Sequence, residues 1–154
     1  MPITVIVTGG RYYYDKLTVD SALDAVHKEY GIALLRDGGA TGADSLGWAW
    51  AQNRGIPTET CKADWKKHGK AAGPIRNKEM LDMGADLVVG FPGGKGTADM
   101  IRQARNAKIP VLLMKETRNP VQQELRSDPV YFLDRDPISI PLALFEKLPK
   151  GKAP

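Results

Sequence analysis

Leu87-Val88-Val89-Gly90-Phe91 runs straight into Pro92-Gly93-Gly94-Lys95-Gly96-Thr97-Ala98-Asp99. The first five residues are an apolar run of strand length, and residues 99–107 have helical character. Strand, glycine-rich turn and helix in that order suit an anion. Glycines let the backbone turn tightly and come close to a ligand. The free N–H groups at the start of the helix then point at that ligand, aided by the helix dipole. The stretch therefore reads as half of a nucleotide-phosphate site.

The flanking sequence repeats the same alternation. Ile3-Thr4-Val5-Ile6-Val7 is β-branched and nearly continuous in apolar character, as a strand buried on both faces is. Thr8-Gly9-Gly10-Arg11 ends it. A helix is expected from Asp15 or Lys16 to Tyr30, with Leu17, Ala22, Leu23, Val26 and Tyr30 on its apolar face and Gly31 as its stop. Residues 32–36 form a second strand and lead into Asp37-Gly38-Gly39-Ala40-Thr41-Gly42-Ala43-Asp44. A second helix follows to about Arg54, with Leu46, Ala49, Trp50 and Asn53 on one face. A short strand over 58–61, a basic loop over 62–74, a helix over 75–83 and a last strand over 109–114 complete the pattern.

Strands that alternate with helices at this spacing indicate βαβ units and a parallel sheet. The expected fold is α/β, a Rossmann-like open parallel sheet of about five strands with helices on both faces, in the order 3-2-1-4-5. Residues 1–116 are expected to make this domain. Residues 117–154 are read as a Pro-rich extension packed on it, with Val130-Tyr131-Phe132-Leu133 as an edge strand and residues 142–148 as a short helix. The extension is also a candidate subunit contact.

Composition narrows the function. The chain has 154 residues, 42% hydrophobic and 26% charged, the profile of a globular domain with a proper core. A net charge of +4 permits phosphate-bearing partners without requiring nucleic acid. One cysteine, Cys61, excludes an intrachain disulfide and a Cys-rich metal site, and His27 and His68 do not suggest a metal centre. Residues 1–4 lack a signal-peptide pattern, and no apolar run is long enough to span a membrane. A soluble cytoplasmic protein is the expectation, with no metal and no required cofactor.

In a parallel sheet, every loop that follows a strand lies on the carboxyl edge. The turns after strands one, two and four must therefore share that edge, where ligands bind at the point of strand-order reversal. This gives Thr8, Gly9, Gly10, Arg11, Gly39, Ala40, Thr41, Gly42, Asp44, Gly93, Gly94, Lys95, Gly96 and Thr97 as candidate phosphate and ligand contacts. Thr97 is expected to cap the helix that follows. Asp44 is a candidate for ribose hydroxyls, and Arg11 for a bidentate phosphate contact. Neither the Gly-x-x-x-x-Gly-Lys-Ser/Thr loop nor Gly-x-Gly-x-x-Gly is present, which argues against an ordinary ATPase or dinucleotide dehydrogenase. Among Tyr12, Tyr13 and Tyr14, one is expected in the core and others to stack a base. Trp50 is assigned to the core and Trp48, on a different helix face, to an interface. Lys62, Lys66, Lys67, His68 and Lys70 around Trp65 form the most basic stretch, either a solvated loop, a lid over the crevice or a track for single-stranded nucleic acid.

Residues 38–44 and 92–97, with Gly73-Pro74-Ile75-Arg76-Asn77-Lys78-Glu79-Met80-Leu81 between them, resemble the SLOG superfamily over roughly residues 3–114. This superfamily joins the Smf/DprA DNA-processing proteins to the LOG phosphoribohydrolases, and the similarity is nearest to its YspA/YpsA-related branch. The resemblance implies a Rossmann-like fold, a nucleotide or nucleotide-derived ligand and a homodimer. LOG enzymes cleave the N-glycosidic bond of a nucleoside monophosphate through a Pro-Gly-Gly-x-Gly-Thr-x-x-Glu motif and an Arg on the preceding helix. Arg76 matches that Arg, and Met100 stands at the Glu position. A thioether neither stabilises an oxocarbenium ion nor polarises water, so hydrolysis would fall to Asp99 or Asp44. Arg76 and Asp99 are the candidate catalytic pair. The leading expectation is a binding or sensor module for a phosphorylated nucleoside. The alternatives are an N-glycosidase acting on a nucleoside monophosphate and, further off, a DNA-processing protein that binds single-stranded DNA.

Overall fold

The structure, a computed structural model, describes residues 2–114. Five parallel strands, β1 (Ile3–Thr8), β2 (Ile32–Asp37), β3 (Thr58–Thr60), β4 (Leu87–Gly90) and β5 (Val111–Leu113), form one sheet in the order β3-β2-β1-β4-β5. Between them lie α1 (Lys16–Tyr30), α2 (Ala43–Asn53), α3 (Trp65–His68), α4 (Ala72–Asp82) and α5 (Lys95–Asn106), with a 3-10 turn at Gly69–Ala71. The expected order 3-2-1-4-5 is the observed one. β1 sits at the centre, pairing Val5 with both Leu35 and Leu87.

Alternation along β1 divides the core in two. Val5 and Val7 face α1 and α2, in a cluster with Val19, Leu23, Leu35, Trp50 and Phe91. Ile6 faces the other way, toward Met80 of α4 and Met100 and Ala104 of α5. Successive side chains of a strand point to opposite faces, so a strand covered by helices on both sides reads as continuously apolar. Helices α1 and α2 pack together on one face, and α4 and α5 on the other. The crossover from β3 to β4 carries the chain between faces, which places the switch point between β1 and β4.

The local starts and stops have identifiable causes. The Asp15 carboxylate caps α1, accepting from Thr18 N at 3.1 Å and from its hydroxyl at 2.7 Å. Gly31 closes the helix at φ 72°. Leu17 is exposed, so the apolar face of α1 is Val19, Ala22, Leu23 and Val26. Asn53 is exposed as well; the buried face of α2 is Ala43, Gly47, Trp50 and Ala51. The basic stretch is not a plain loop, since it contains α3 and the 3-10 turn. Helix α4 starts at Ala72, with Pro74 inside the first turn, where its missing N–H costs no intrahelical bond. The expected edge strand over 130–133, the helix over 142–148 and the rest of the extension lie outside the described residues.

One polar feature of the core was not expected. Arg36 points to the α4 face of β2 and is 4% exposed. Its Nε donates to Glu59 at 2.9 Å, and its Nη1 donates to the carbonyls of Gly84 at 2.7 Å and Met80 at 3.2 Å. These carbonyls end α4, so one guanidinium caps the negative end of that helix. Arg36→Leu keeps the volume but leaves the carbonyls without donors. It is expected to lower stability by about 2–3 kcal/mol, read as a shift of the urea midpoint.

Candidate functional site

The loops after β1, β2 and β4 meet in backbone contact, with the first between the other two. Gly10 N donates to Pro92 O at 2.8 Å, and Gly10 O accepts from Ala43 N at 3.1 Å. The Thr41 hydroxyl donates to Arg11 O at 2.9 Å. A Cβ at Gly10 would lie 2.8 Å from Pro92 O, and one at Gly93 would lie 2.7 Å from Gly10 N. Only glycines permit so close an approach. Thr8 is buried at the end of β1, and its carbonyl accepts from Phe91 N at 2.9 Å. Tyr13 stacks on Phe91 at 5.5 Å between ring centroids, which makes it the core tyrosine, while Tyr12 and Tyr14 are exposed.

The β4 loop leads into α5 four residues earlier than its apolar pattern suggests. Helix α5 begins at Lys95 with Gly94 as its cap, and no side chain caps its N–H groups. Thr97 is therefore not the cap. It lies inside the first turn, buried, with its hydroxyl against the Gly93 backbone. Gly93, Gly94, Lys95 and Gly96 are exposed. A Cβ at Gly94 or Gly96 would meet no atom within 4 Å. The glycines thus divide by role: Gly10 and Gly93 join the loops, whereas Gly94 and Gly96 face open space at the positive end of a 12-residue helix.

The β2 loop is held by two buried acids and one arginine. Asp44 accepts from Gly38 N at 2.9 Å and Ala40 N at 3.3 Å through one oxygen. Asp37 accepts from Gly39 N at 2.7 Å and from the Thr60 hydroxyl at 3.1 Å. Arg76, in the second turn of α4, donates through Nη1 to Gly38 O at 2.7 Å and to Cys61 O at 3.3 Å. Arg76 thereby reaches the crevice edge, tying α4 to the loops after β2 and β3. Asp37 was not singled out from the sequence, although an acid closing a buried strand just before Gly38-Gly39 was a usable signal.

Burial is the main influence on both acids. It pushes the Asp44 carboxyl up to about 6 from 3.8, with the nearby Asp37 charge adding and the Ala40 and Gly38 N–H groups and Arg76 opposing. Burial likewise raises Asp37, against the Gly39 N–H, the Thr60 hydroxyl and Arg76. Because the folded value for Asp44 lies above the unfolded one, the folded protein takes up this proton first as pH falls. Asp44 therefore adds stability as pH drops from about 6 toward 3.8, and this gain is absent above pH 6. The full span is worth roughly 3 kcal/mol at 1.36 kcal/mol per pH unit. Asp44→Asn keeps an oxygen for the two N–H groups but cannot titrate. The stability difference between wild type and this variant, from urea midpoints at pH 4 to 7, is expected to move in favour of wild type on acidification.

Asp99 and Met100 sit in contrasting surroundings. One oxygen of Asp99 accepts from Asn77 Nδ2 at 2.9 Å and Gln103 Nε2 at 2.8 Å, and the other accepts from Arg102. Met100 is 1% exposed and packs among Ile6, Met80 and Val88. Asn77 joins the two candidate catalytic residues. Its Oδ1 accepts from Arg76 Nε at 3.0 Å, and its amide also donates to Gly96 O at 3.2 Å. Asn77 thus links α4 to the first turn of α5, a role that no short-range pattern announces. Among the described residues, no group of three or more His, Cys, Asp or Glu side chains is disposed to hold a metal ion. No helix among them is long and apolar enough to cross a membrane.

The profile of the YspA, cpYpsA-related SLOG family, YAcAr, matches residues 3–68. The Gene 61 protein of Mycobacterium phage D29 is 41% identical over 117 residues, spanning 70% of this chain and 93% of that protein. Among solved structures, the molybdenum cofactor binding protein from the phototrophic bacterium Rippkaea orientalis superposes with a TM-score of 0.57. That match covers 81% of this chain and 82% of the other at 20% identity, a likeness of fold. With a relative matched over nearly its full length and the family's profile aligned to the first three strands, this chain belongs to the YspA, cpYpsA-related SLOG family.

Proposed function

We propose that this protein binds a phosphorylated nucleoside, such as a nucleoside monophosphate or an ADP-ribose-like compound, as a sensor or binding module. The observation that carries this reading is the start of α5. Its N–H groups have no side-chain cap, and its Gly94 and Gly96 border open space beside the joined loops after β1 and β2. An anion is the natural complement of such a helix end. Arg11 and Lys95 are exposed cations on the same loops. The molybdenum cofactor binding protein that shares this fold supports a ligand-binding role.

Binding is favoured over hydrolysis because Asp99 spends both carboxylate oxygens on Asn77, Gln103 and Arg102. So engaged, this carboxylate braces α4 against the first turn of α5. Arg76 is read as a positioning residue for the β2 loop. Thermal shift and calorimetric titration against nucleoside 5′-phosphates, with the matching nucleosides as controls, test the proposal. At 100 times Kd, a phosphorylated ligand is expected to stabilise the protein by about 2.7 kcal/mol. Equal responses to nucleoside and nucleotide, or none to either, would overturn it.

A further inference from the structure

We infer that Arg11 and Trp65 form a clamp for the planar base of the ligand. This inference rests on the phosphate-binding reading above. Arg11 follows the β1 loop, and Trp65 opens α3 after β3, so their contact crosses over the β2 loop that lies between them in the sheet. The Arg11 guanidinium stands 5.9 Å from the centre of the Trp65 ring, at the outer limit of a cation–π contact. Trp65 is half exposed, although its far edge lies 3.5 Å from the Cβ position of Gly73 on α4. Among the described residues, no carboxylate forms an ion pair with the Arg11 guanidinium.

The arrangement fits a flat heterocycle. Each stacked contact needs about 3.5–4.0 Å, so a base between guanidinium and indole needs about 7–8 Å. Opening the present 5.9 Å contact by roughly 1–2 Å admits one, a shift that a rotamer change of the exposed Arg11 side chain supplies. The backbone of Arg11 is fixed through Thr41 and Gly42 beside the phosphate cradle. The same residue then covers the base with its guanidinium while its carbonyl stays in the wall of the crevice. Trp48, exposed on α2 on the other face of the sheet, has no such partner among the described residues and serves as the control.

The test compares AMP with ribose 5-phosphate by calorimetry, and follows tryptophan emission in the same titrations. AMP is expected to bind at least tenfold more tightly than ribose 5-phosphate and to quench emission, as base–aromatic stacking does. Trp65→Ala is expected to lower AMP affinity roughly 10-fold, to abolish the quench and to leave ribose 5-phosphate affinity unchanged. Trp65→Phe is expected to keep most of the AMP affinity, and Trp48→Ala to keep both the affinity and the quench. If AMP and ribose 5-phosphate bind equally, or Trp65→Ala weakens both alike, the clamp is wrong and the phosphate site stands. If neither binds, both readings fail.

Discussion

Gly42→Ala is expected to cost about 3–6 kcal/mol of folding stability, a large loss for a single added methyl. Gly42 has φ 75° and ψ −126°, a conformation that side chains strain to adopt at roughly 1–3 kcal/mol. Its Cβ would run into Gly10 O and lie 2.6 Å from Arg11 C and 2.7 Å from Arg11 O. All of these are backbone atoms, so no rotamer change relieves the clash, and overpacking adds roughly 1–3 kcal/mol. The loop must then move away, losing the Ala43 N to Gly10 O hydrogen bond that joins the first two loops. Gly55→Ala separates the two contributions. Gly55 has φ 67° but no atom within 4 Å of its Cβ position, so only the backbone strain of about 1 kcal/mol is expected there. Urea midpoints measure both. Equal effects at the two positions would mean that the contact between the loops after β1 and β2 contributes nothing.

Why the sheet order and the meeting of the loops were legible, while the fixing of the site was not, follows from the range of the interactions. Residues 3–7 and 87–91 announce buried parallel strands, and right-handed βαβ crossovers leave few ways to connect them. The shared edge of the three glycine loops then follows from geometry alone. The start of α5 is hidden from a local reading because Gly93, Gly94 and Gly96 disfavour helix, yet the helix begins among them. Arg36, Asp37 and Asn77 depend on partners distant in sequence, from Glu59 and Gly84 to Thr60 and Asp99. A charged residue inside an apolar strand shows that a partner must exist but not which one. Asp44 was identified, but its known partners are the N–H groups of its own loop, so its first effect is on loop shape and on stability below pH 6.

Gly94→Asp is expected to leave stability unchanged or slightly raised and to weaken nucleotide binding by roughly 100- to 1,000-fold. The opposite signs are what make it informative. Gly94 already occupies the cap position of α5, no side chain caps that helix, and a Cβ there meets nothing within 4 Å. Aspartate is a better cap than glycine by a few tenths of a kcal/mol, and its charge suits the helix dipole. The same carboxylate takes the N–H groups that a phosphate would use. It also sets a negative charge about 4 Å from it, a repulsion of about 4 kcal/mol at an effective dielectric constant of 20. Gly94→Ser caps without charge and is expected to weaken binding only about tenfold, while Gly94→Ala tests the space alone. A loss of binding that tracked unfolding would point to a damaged loop. A loss in the aspartate variant at full stability, graded through serine to alanine, assigns the phosphate to the end of α5. Wild-type affinity in the aspartate variant would move the phosphate elsewhere on the sheet edge, leaving Gly94 and Gly96 only as residues that start α5.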